Sequence, residues 1–162
     1  MKIVYDTYDS PLGTIYVVVD EIGVRRIILF EDQWLEYMNK YNGIKQDKRL
    51  CNNIIRELDE YFNKERKEFQ VPLSIEGTEF RKKVWEALRN IPYGEVRSYS
   101  QIAEAIGNPK AVRAVGQANR ANLLPIIIPC HRVVGKSGEL TGYAGNKTSV
   151  KKFLLELEGV EI

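Results

Sequence analysis

Ser98-Tyr99-Ser100-Gln101-Ile102-Ala103-Glu104-Ala105-Ile106-Gly107-Asn108-Pro109-Lys110-Ala111-Val112-Arg113-Ala114-Val115-Gly116-Gln117-Ala118-Asn119 is the stretch that decides the fold of this chain. Ser98 followed three residues later by Gln101 is a capping-box pattern, and it opens a predicted helix from Tyr99 to Ile106. Gly107-Asn108-Pro109 then turns the chain into another helix, from about Lys110 to Asn119. Two short helices around a glycine-containing turn form a helix-turn-helix. In the second of them Val112 and Val115 are expected to pack inward. Arg113, Gln117 and Arg120 then share an outer face at i, i+4, i+7, beside Ala114, Ala118 and Ala121 at the same spacing. A strip of alanines flanked by basic and polar groups lets a phosphate backbone come close. The plainer alternative is a small-residue contact between helices.

Outward from this core, Phe80, Val84, Trp85, Leu88 and Ile91 mark an amphipathic helix that stops at Pro92-Tyr93-Gly94. Toward the N-terminus, residues 2–8, 14–19 and 24–30 are β-branched and aromatic runs broken by Ser10-Pro11-Leu12-Gly13 and Glu21-Ile22-Gly23. They read as a three-stranded antiparallel meander. Helices near 32–40 and 50–63 follow, then an extended linker through Gln70-Val71-Pro72-Leu73. Domains are expected at 1–77 and 78–162. Cys51 is read as packing beside Leu50, Ile54, Leu58 and Phe62.

At 162 residues, with 44% hydrophobic and 28% charged residues, the chain has globular composition and is long enough to bury a core without a staple. Neither a signal-length apolar segment nor a spanning run is present, so the expectation is no membrane and a cytoplasmic protein, or a nuclear one in a eukaryote. Two cysteines and one histidine cannot furnish a four-ligand zinc site, and no metal or organic cofactor is expected. The net charge of +2 says little, but its distribution says more. Residues 1–77 carry 11 basic and 14 acidic groups, whereas 78–162 carry 13 and 8. Between Glu104 and Glu139 no acidic residue occurs, while Lys110, Arg113, Arg120, Arg132 and Lys136 do. A polyanion meets that stretch without repulsion.

Within the same stretch stands Ile128-Pro129-Cys130-His131-Arg132-Val133, preceded by Leu124-Pro125-Ile126-Ile127. The prolines fix the entering backbone and the isoleucines want burial. Cys130 is thereby held beside the only histidine of the chain. A thiol reacts as its thiolate, and a neighbouring base changes how much of that form is reachable.

Pro-Cys-His-Arg-Val resembles the motif of the O6-alkylguanine-DNA alkyltransferases, also called methylated-DNA–protein-cysteine methyltransferases. Gly94-Glu95-Val96-Arg97-Ser98-Tyr99, Gly107 to Gly116, Asn122, Gly142-Tyr143-Ala144-Gly145 and Leu154 to Gly159 agree with that family in order and spacing over about residues 78–159. The resemblance implies an α+β protein: a ribonuclease-H-like α/β domain followed by a mostly helical, winged-helix-like catalytic domain. It implies Cys130 as alkyl acceptor, His131 as base, Glu158 on the final helix orienting His131, Tyr99 as proton donor to the departing base, and Asn122 bracing the active-site turn. It assigns Tyr99, Ser100, Asn108, Arg113, Ala114, Gln117, Arg120 and Lys136 to DNA, with Arg113 entering the base stack from the minor groove. Val133, Tyr143 and Ala144 are assigned to the base pocket. Base flipping is chemically required, since a sulfur cannot approach the O6-alkyl group in line within a stacked pair. The expected partner is double-stranded DNA carrying alkylated guanine, or alkylated thymine, and the expected state is a monomer.

Three rivals share some of these features. A cysteine hydrolase needs an oxyanion hole, and here a helix-turn-helix precedes the thiol instead. A winged-helix regulator gives Cys130-His131-Arg132 no work. A non-catalytic relative that only binds DNA lesions lacks the cysteine that this chain keeps.

Overall fold

Alternation of side chains along the first strands determines how the N-terminal half is layered. The structure, a computed structural model, describes residues 2–140 and 148–161. The chain forms two compact units, Met1–Ile75 and Glu76–Ile162. In the first, β1 (Val4–Ser10), β2 (Gly13–Val19) and β3 (Val24–Ile28) form the antiparallel meander. A two-residue turn closes the first hairpin. There the Ser10 hydroxyl accepts from the Leu12 amide at 3.0 Å, and Gly13 takes φ +100°, a conformation that favours glycine.

A two-residue strand not foreseen in the sequence, β4 (Lys45–Gln46), joins β1 in parallel and gives the sheet order β3-β2-β1-β4. Helix α1 (Glu31–Lys40) lays Trp34 on the Tyr5, Tyr16 and Val18 face, with ring centroids 4.7 Å from Tyr5 and 4.6 Å from Tyr16. Helix α2 (Asn52–Phe62) meets the opposite face, where Phe62 stacks on Tyr8 and Asp59 accepts from the Tyr8 hydroxyl at 2.9 Å. Cys51 is fully buried at the start of α2, as the packing reading requires, but Leu50 beside it is exposed.

The segment leaving this unit is pinned rather than loose. Val24 donates to the Pro72 carbonyl and accepts from the Ser74 amide, Glu57 accepts from the Gln70 amide at 2.9 Å, and Asp20 accepts from the Ser74 hydroxyl at 2.6 Å. Any side chain on Gly23 would run into the Pro72 carbonyl, so glycine is the residue that fits.

The second unit is mostly helical. Helix α3 (Glu79–Arg89) is capped by Thr78, and it ends two residues before the buried Ile91 that its periodicity includes. A short strand β5 (Arg97–Ser98) runs into α4 (Tyr99–Ala105), and both bonds of the predicted capping box form, at 3.1 Å and 2.8 Å. Helix α5 (Val112–Arg120) begins later than the sequence suggests, because Ala111 closes a turn onto the Asn108 carbonyl and leaves Lys110 in that turn. One 3-10 turn, Cys130–Arg132, precedes β6 (Val133–Val134), which pairs with β5 in parallel. Helix α6 (Thr148–Leu157) closes the unit.

Two packing expectations on α5 are corrected. Val112 is 36% exposed, because it sits in the first turn where no neighbour covers it, and only Val115 points fully inward. Ala118 is buried rather than part of an open strip, since the Trp85 indole of α3 donates to its carbonyl at 2.9 Å. No helix among the described residues is long and apolar enough to cross a membrane.

Candidate active site

The segment 122–132 is built to hold its backbone still. Asn122 accepts from the Leu124 amide at 3.0 Å and donates to the Ile128 carbonyl at 2.7 Å, while the Ile128 amide returns to the Leu124 carbonyl at 2.8 Å. Inside that loop Ile126 is buried at φ +77°, a left-handed conformation that costs a β-branched residue on the order of 1–3 kcal/mol and persists only where the surroundings enforce it. Asn119, also buried, reaches the Cys130 carbonyl from α5 at 3.4 Å. Two asparagines thus brace the backbone around the thiol, Asn119 at the Cys130 carbonyl and Asn122 at the Ile128 carbonyl.

A second set of bonds fixes the residues that follow. Arg132 grips Glu158 with two nitrogens, Nε to Oε1 at 2.8 Å and Nη2 to Oε2 at 3.0 Å, and its Nη1 donates to the Ile91 carbonyl at 2.7 Å. His131 Nε2 lies 2.7 Å from Glu158 Oε2. Burial alone pushes the Glu158 carboxyl up, yet the hydrogen bonds and charges of His131 and Arg132 pull it down to about 2. An ionised Glu158 requires the proton on Nε2, which leaves the Nδ1 lone pair as the basic atom. Nδ1 is buried and has no hydrogen-bond partner among the described residues. Burial holds the imidazole below its ordinary range against the pull of Glu158, so it is neutral and ready to accept. The Cys130 thiol is pushed up to about 11 by burial, opposed by Asn122 and by the charge of Lys151.

Glu158 lies one residue past the end of α6 rather than on it, although its amide still bonds to the Leu154 carbonyl as in a helix. Tyr99 opens α4 with its ring against Gly116 of α5 and with Lys151 Nζ 5.9 Å from its centroid. Val133 is fully buried, directly after the 3-10 turn. Tyr143 and Ala144 fall outside the described residues. Of the residues assigned to DNA, Asn108, Arg113, Gln117, Arg120 and Lys136 are exposed, and Ser100 and Ala114 are half-buried. Arg132 is not among the outward cations, although it stands in the acid-free stretch, because its charge is spent internally on Glu158.

Sequence reasoning missed two residues, Asn119 and Lys151. Both stand on buried helical stripes, 115/118/119 and 151/154/155, where a polar residue interrupts an apolar face. That interruption is the signal. Among the described residues, no group of three or more His, Cys, Asp or Glu side chains is placed to hold a metal.

Comparison with known proteins agrees over both units. Residues 3–75 match the family described as 6-O-methylguanine DNA methyltransferase, ribonuclease-like domain, and residues 79–160 match its DNA binding domain. The constitutive methylated-DNA–protein-cysteine methyltransferase of Bacillus subtilis is 49% identical, over 96% of this chain and 95% of that one. A methylated-DNA–protein-cysteine methyltransferase of Methanosarcina acetivorans is 45% identical over 96% and 97%. The crystal structure of Mycobacterium tuberculosis OGT in complex with DNA superposes with a TM-score of 0.85, at 42% identity, over 95% of this chain and 91% of that one.

Glu158 yields a test of the site's architecture. Its folded value near 2 lies below its ordinary 4.5, so its contribution to stability is present above about pH 4.5 and is lost as the pH falls toward 2. Glu158→Gln strands the buried Arg132 charge, which costs about 3–5 kcal/mol at neutral pH. Denaturant midpoints measured from neutral to acid pH are expected to drop in the variant and to fall less steeply below pH 4.5 than in the wild type. Equal midpoints at neutral pH would show that Glu158 is not the anchor of this turn.

Proposed function

The chain belongs to the 6-O-methylguanine DNA methyltransferase family, and from that premise we propose how it repairs DNA: Cys130 accepts the alkyl group of O6-alkylguanine irreversibly. It is an enzyme of DNA repair by alkyl transfer, of the methylated-DNA–protein-cysteine methyltransferase kind. The observation that carries the assignment of the acceptor is the thiol of Cys130 on a doubly braced turn beside a neutral His131 whose Nε2 is tied to Glu158 at 2.7 Å.

The reaction on this reading is an in-line displacement. His131 Nδ1 takes the thiol proton, directly or through a water, and Glu158 stabilises the imidazolium and keeps the ring oriented. The sulfur forms its bond to the alkyl carbon as the carbon–O6 bond breaks. The electron pair passes into the guanine, which takes a proton from Tyr99. Tyr99 recovers that proton from the imidazolium through the site, so the thiol proton ends on the base. A thioether is a poor leaving group, so Cys130 is not regenerated and each molecule acts once. A lesion binder without chemistry would have no use for the Cys130 thiol.

DNA is engaged through the outer face of α5. Its half-buried Ala114 and the side-chain-free Gly116 keep that helix slim enough for the minor groove, with Arg113 filling the gap left by the flipped nucleotide. Tyr99, Ser100, Asn108, Gln117, Arg120 and Lys136 contact the surrounding backbone. Val133, with Tyr143 and Ala144, forms the base pocket. The protein acts as a monomer in the cytoplasm, or in the nucleus of a eukaryote, on alkylated guanine in duplex DNA.

Stoichiometry tests the central claim. Mixed with excess O6-methylguanine duplex, the protein is expected to gain one methyl on the Cys130 peptide and stop, as read by mass spectrometry. Repeated turnover, or methyl on Cys51, would contradict it. His131→Gln is expected to slow transfer by roughly 10²- to 10⁴-fold, the contribution of a positioned base, with DNA affinity little changed. An unchanged rate would mean that another group takes the proton.

Flipping is separable from chemistry. Arg113→Ala is expected to react about 10- to 1000-fold more slowly with alkylated duplex, if one to four kcal/mol of support for the extruded base is lost. Its rate with free O6-benzylguanine is expected to stay near that of the wild type. Equal losses on both substrates would withdraw the intercalating role.

A further inference from the structure

The turn Ile91-Pro92-Tyr93-Gly94, which follows α3, is folded onto the buried pair of Arg132 and Glu158. The Ile91 carbonyl accepts from Arg132 Nη1 at 2.7 Å. Two residues on, the Tyr93 ring centroid lies 5.7 Å from the guanidinium carbon of Arg132, and the Tyr93 hydroxyl donates to the Leu157 carbonyl at 3.4 Å. Gly94 follows at φ +84°, where a Cβ would lie 3.4 Å from the Glu158 carbonyl oxygen. At the end of α6 the Val160 and Gly159 amides satisfy the Leu155 and Glu156 carbonyls, and Tyr93 serves the next one, Leu157. Tyr93 is half-buried, whereas Arg132 and Glu158 are buried. Its ring thus has one part in water and another against a buried cation.

We propose that Tyr93 is a positioning residue of the alkyl transfer: its ring seals the Arg132–Glu158 pair from water, so that Glu158 keeps an oxygen on His131 Nε2 and leaves Nδ1 to accept the thiol proton. This rests on the reading of His131 as the base that serves Cys130. Glu158 Oε2 is shared, 2.7 Å from His131 Nε2 and 3.0 Å from Arg132 Nη2. Water entering beside the guanidinium competes for both bonds. An aromatic face attracts the cation without offering it a hydrogen-bond acceptor, so it excludes water and does not draw Arg132 away from the carboxylate. The ring carries the role rather than the hydroxyl, because 3.4 Å is long for a bond between two oxygens.

The chain has a single histidine, so the ring nitrogens of His131 give one set of NMR signals in the isotope-labelled full-length protein. In the wild type the proton is expected on Nε2 and slow to exchange with water. Tyr93→Leu and Tyr93→Met keep apolar bulk but remove the aromatic face. Both are expected to speed that exchange about tenfold or more, the scale of a desolvated contact between a cation and a ring, and to bring in the tautomer protonated on Nδ1. The amide of Leu88 on α3, fully buried in the same unit, is the reference and is expected to keep its rate. Methyl transfer at saturating O6-methylguanine duplex is expected to slow in both variants with DNA affinity unchanged. Tyr93→Phe, which keeps the ring, is expected to match the wild type in exchange and in transfer.

If the Nε2 proton of Tyr93→Leu and Tyr93→Met exchanges at the wild-type rate, or speeds up only in step with the Leu88 amide, the proposal is overturned, because lost packing loosens the whole unit rather than one ring. A Tyr93→Phe variant as impaired as Tyr93→Leu would also overturn it, by moving the role to the hydroxyl. Failure of wild-type protein to take methyl from O6-methylguanine duplex would instead overturn the proposed function. The two failures are read from different experiments.

Discussion

One buried carboxylate organises the catalytic unit. Glu158 receives two bonds from Arg132 and one from His131, and the free arm of Arg132 reaches the Ile91 carbonyl at 2.7 Å. Three segments meet through it: the residues just after α3, the 3-10 turn and the residue after α6. Desolvating such a group costs several kcal/mol, and the geometry repays that only when every partner is present. This explains why the turn carrying Cys130 is made of three consecutive buried residues, two of them polar. The turn stays rigid because moving it would expose a charge to an apolar interior.

On the proposed reading helix α5 joins recognition to chemistry. Its outer face presents Arg113, Gln117 and Arg120, and its inner face presents Val115, Ala118 and Asn119. Asn119 reaches the Cys130 carbonyl, Ala118 receives the Trp85 indole, and Asn122 just beyond the helix closes the strained loop around Ile126. A helix of nine residues is therefore braced against α3 on one side and against the active-site turn on the other. On the proposed reading, a nucleotide extruded by Arg113 has only the thickness of that helix to cross before it reaches the sulfur. On the same reading small residues on α5 serve two needs, a narrow groove outside and close packing inside.

Local signals in the sequence were legible where chemistry is local. The Ser98 and Gln101 pair announces the start of α4 because a capping box is made within four residues, and the first hairpin announces itself through Ser10 and Gly13. Strand β4 is two residues long and owes its pairing to β1 some forty residues away, so no periodicity betrays it. Spacing alone placed Val112 inside and Ala118 outside, but the reverse holds, because which flank of α5 is covered depends on where Trp85 comes from. Of the site, Cys130, His131 and Glu158 were visible through motifs. Arg132 looked like a cation for a polyanion until its fork closed on Glu158. Lys151 was indistinguishable in sequence from its neighbour Lys152, since only the packing of α6 decides which of two adjacent lysines is buried.

A reagent that is consumed by one reaction has to remain unreactive until the right substrate arrives. Burial pushes the Cys130 thiol up to about 11 and holds the His131 imidazole below its ordinary range. The resting site is therefore a neutral thiol beside a neutral base, and stray electrophiles meet little thiolate. Proton transfer becomes favourable only as the sulfur begins to bond to carbon and negative charge moves onto the departing base. On the proposed reading that movement is met by cations already in place: Arg132 neutralising Glu158, and the buried Lys151 with its ammonium 5.9 Å from the Tyr99 ring centroid. Such charges, fixed by folding, need no reorganisation when the reaction occurs. On the proposed reading the protein thus guards the Cys130 thiol by desolvating it and activates it by electrostatics already built into the fold, so the same buried surroundings serve storage and reaction.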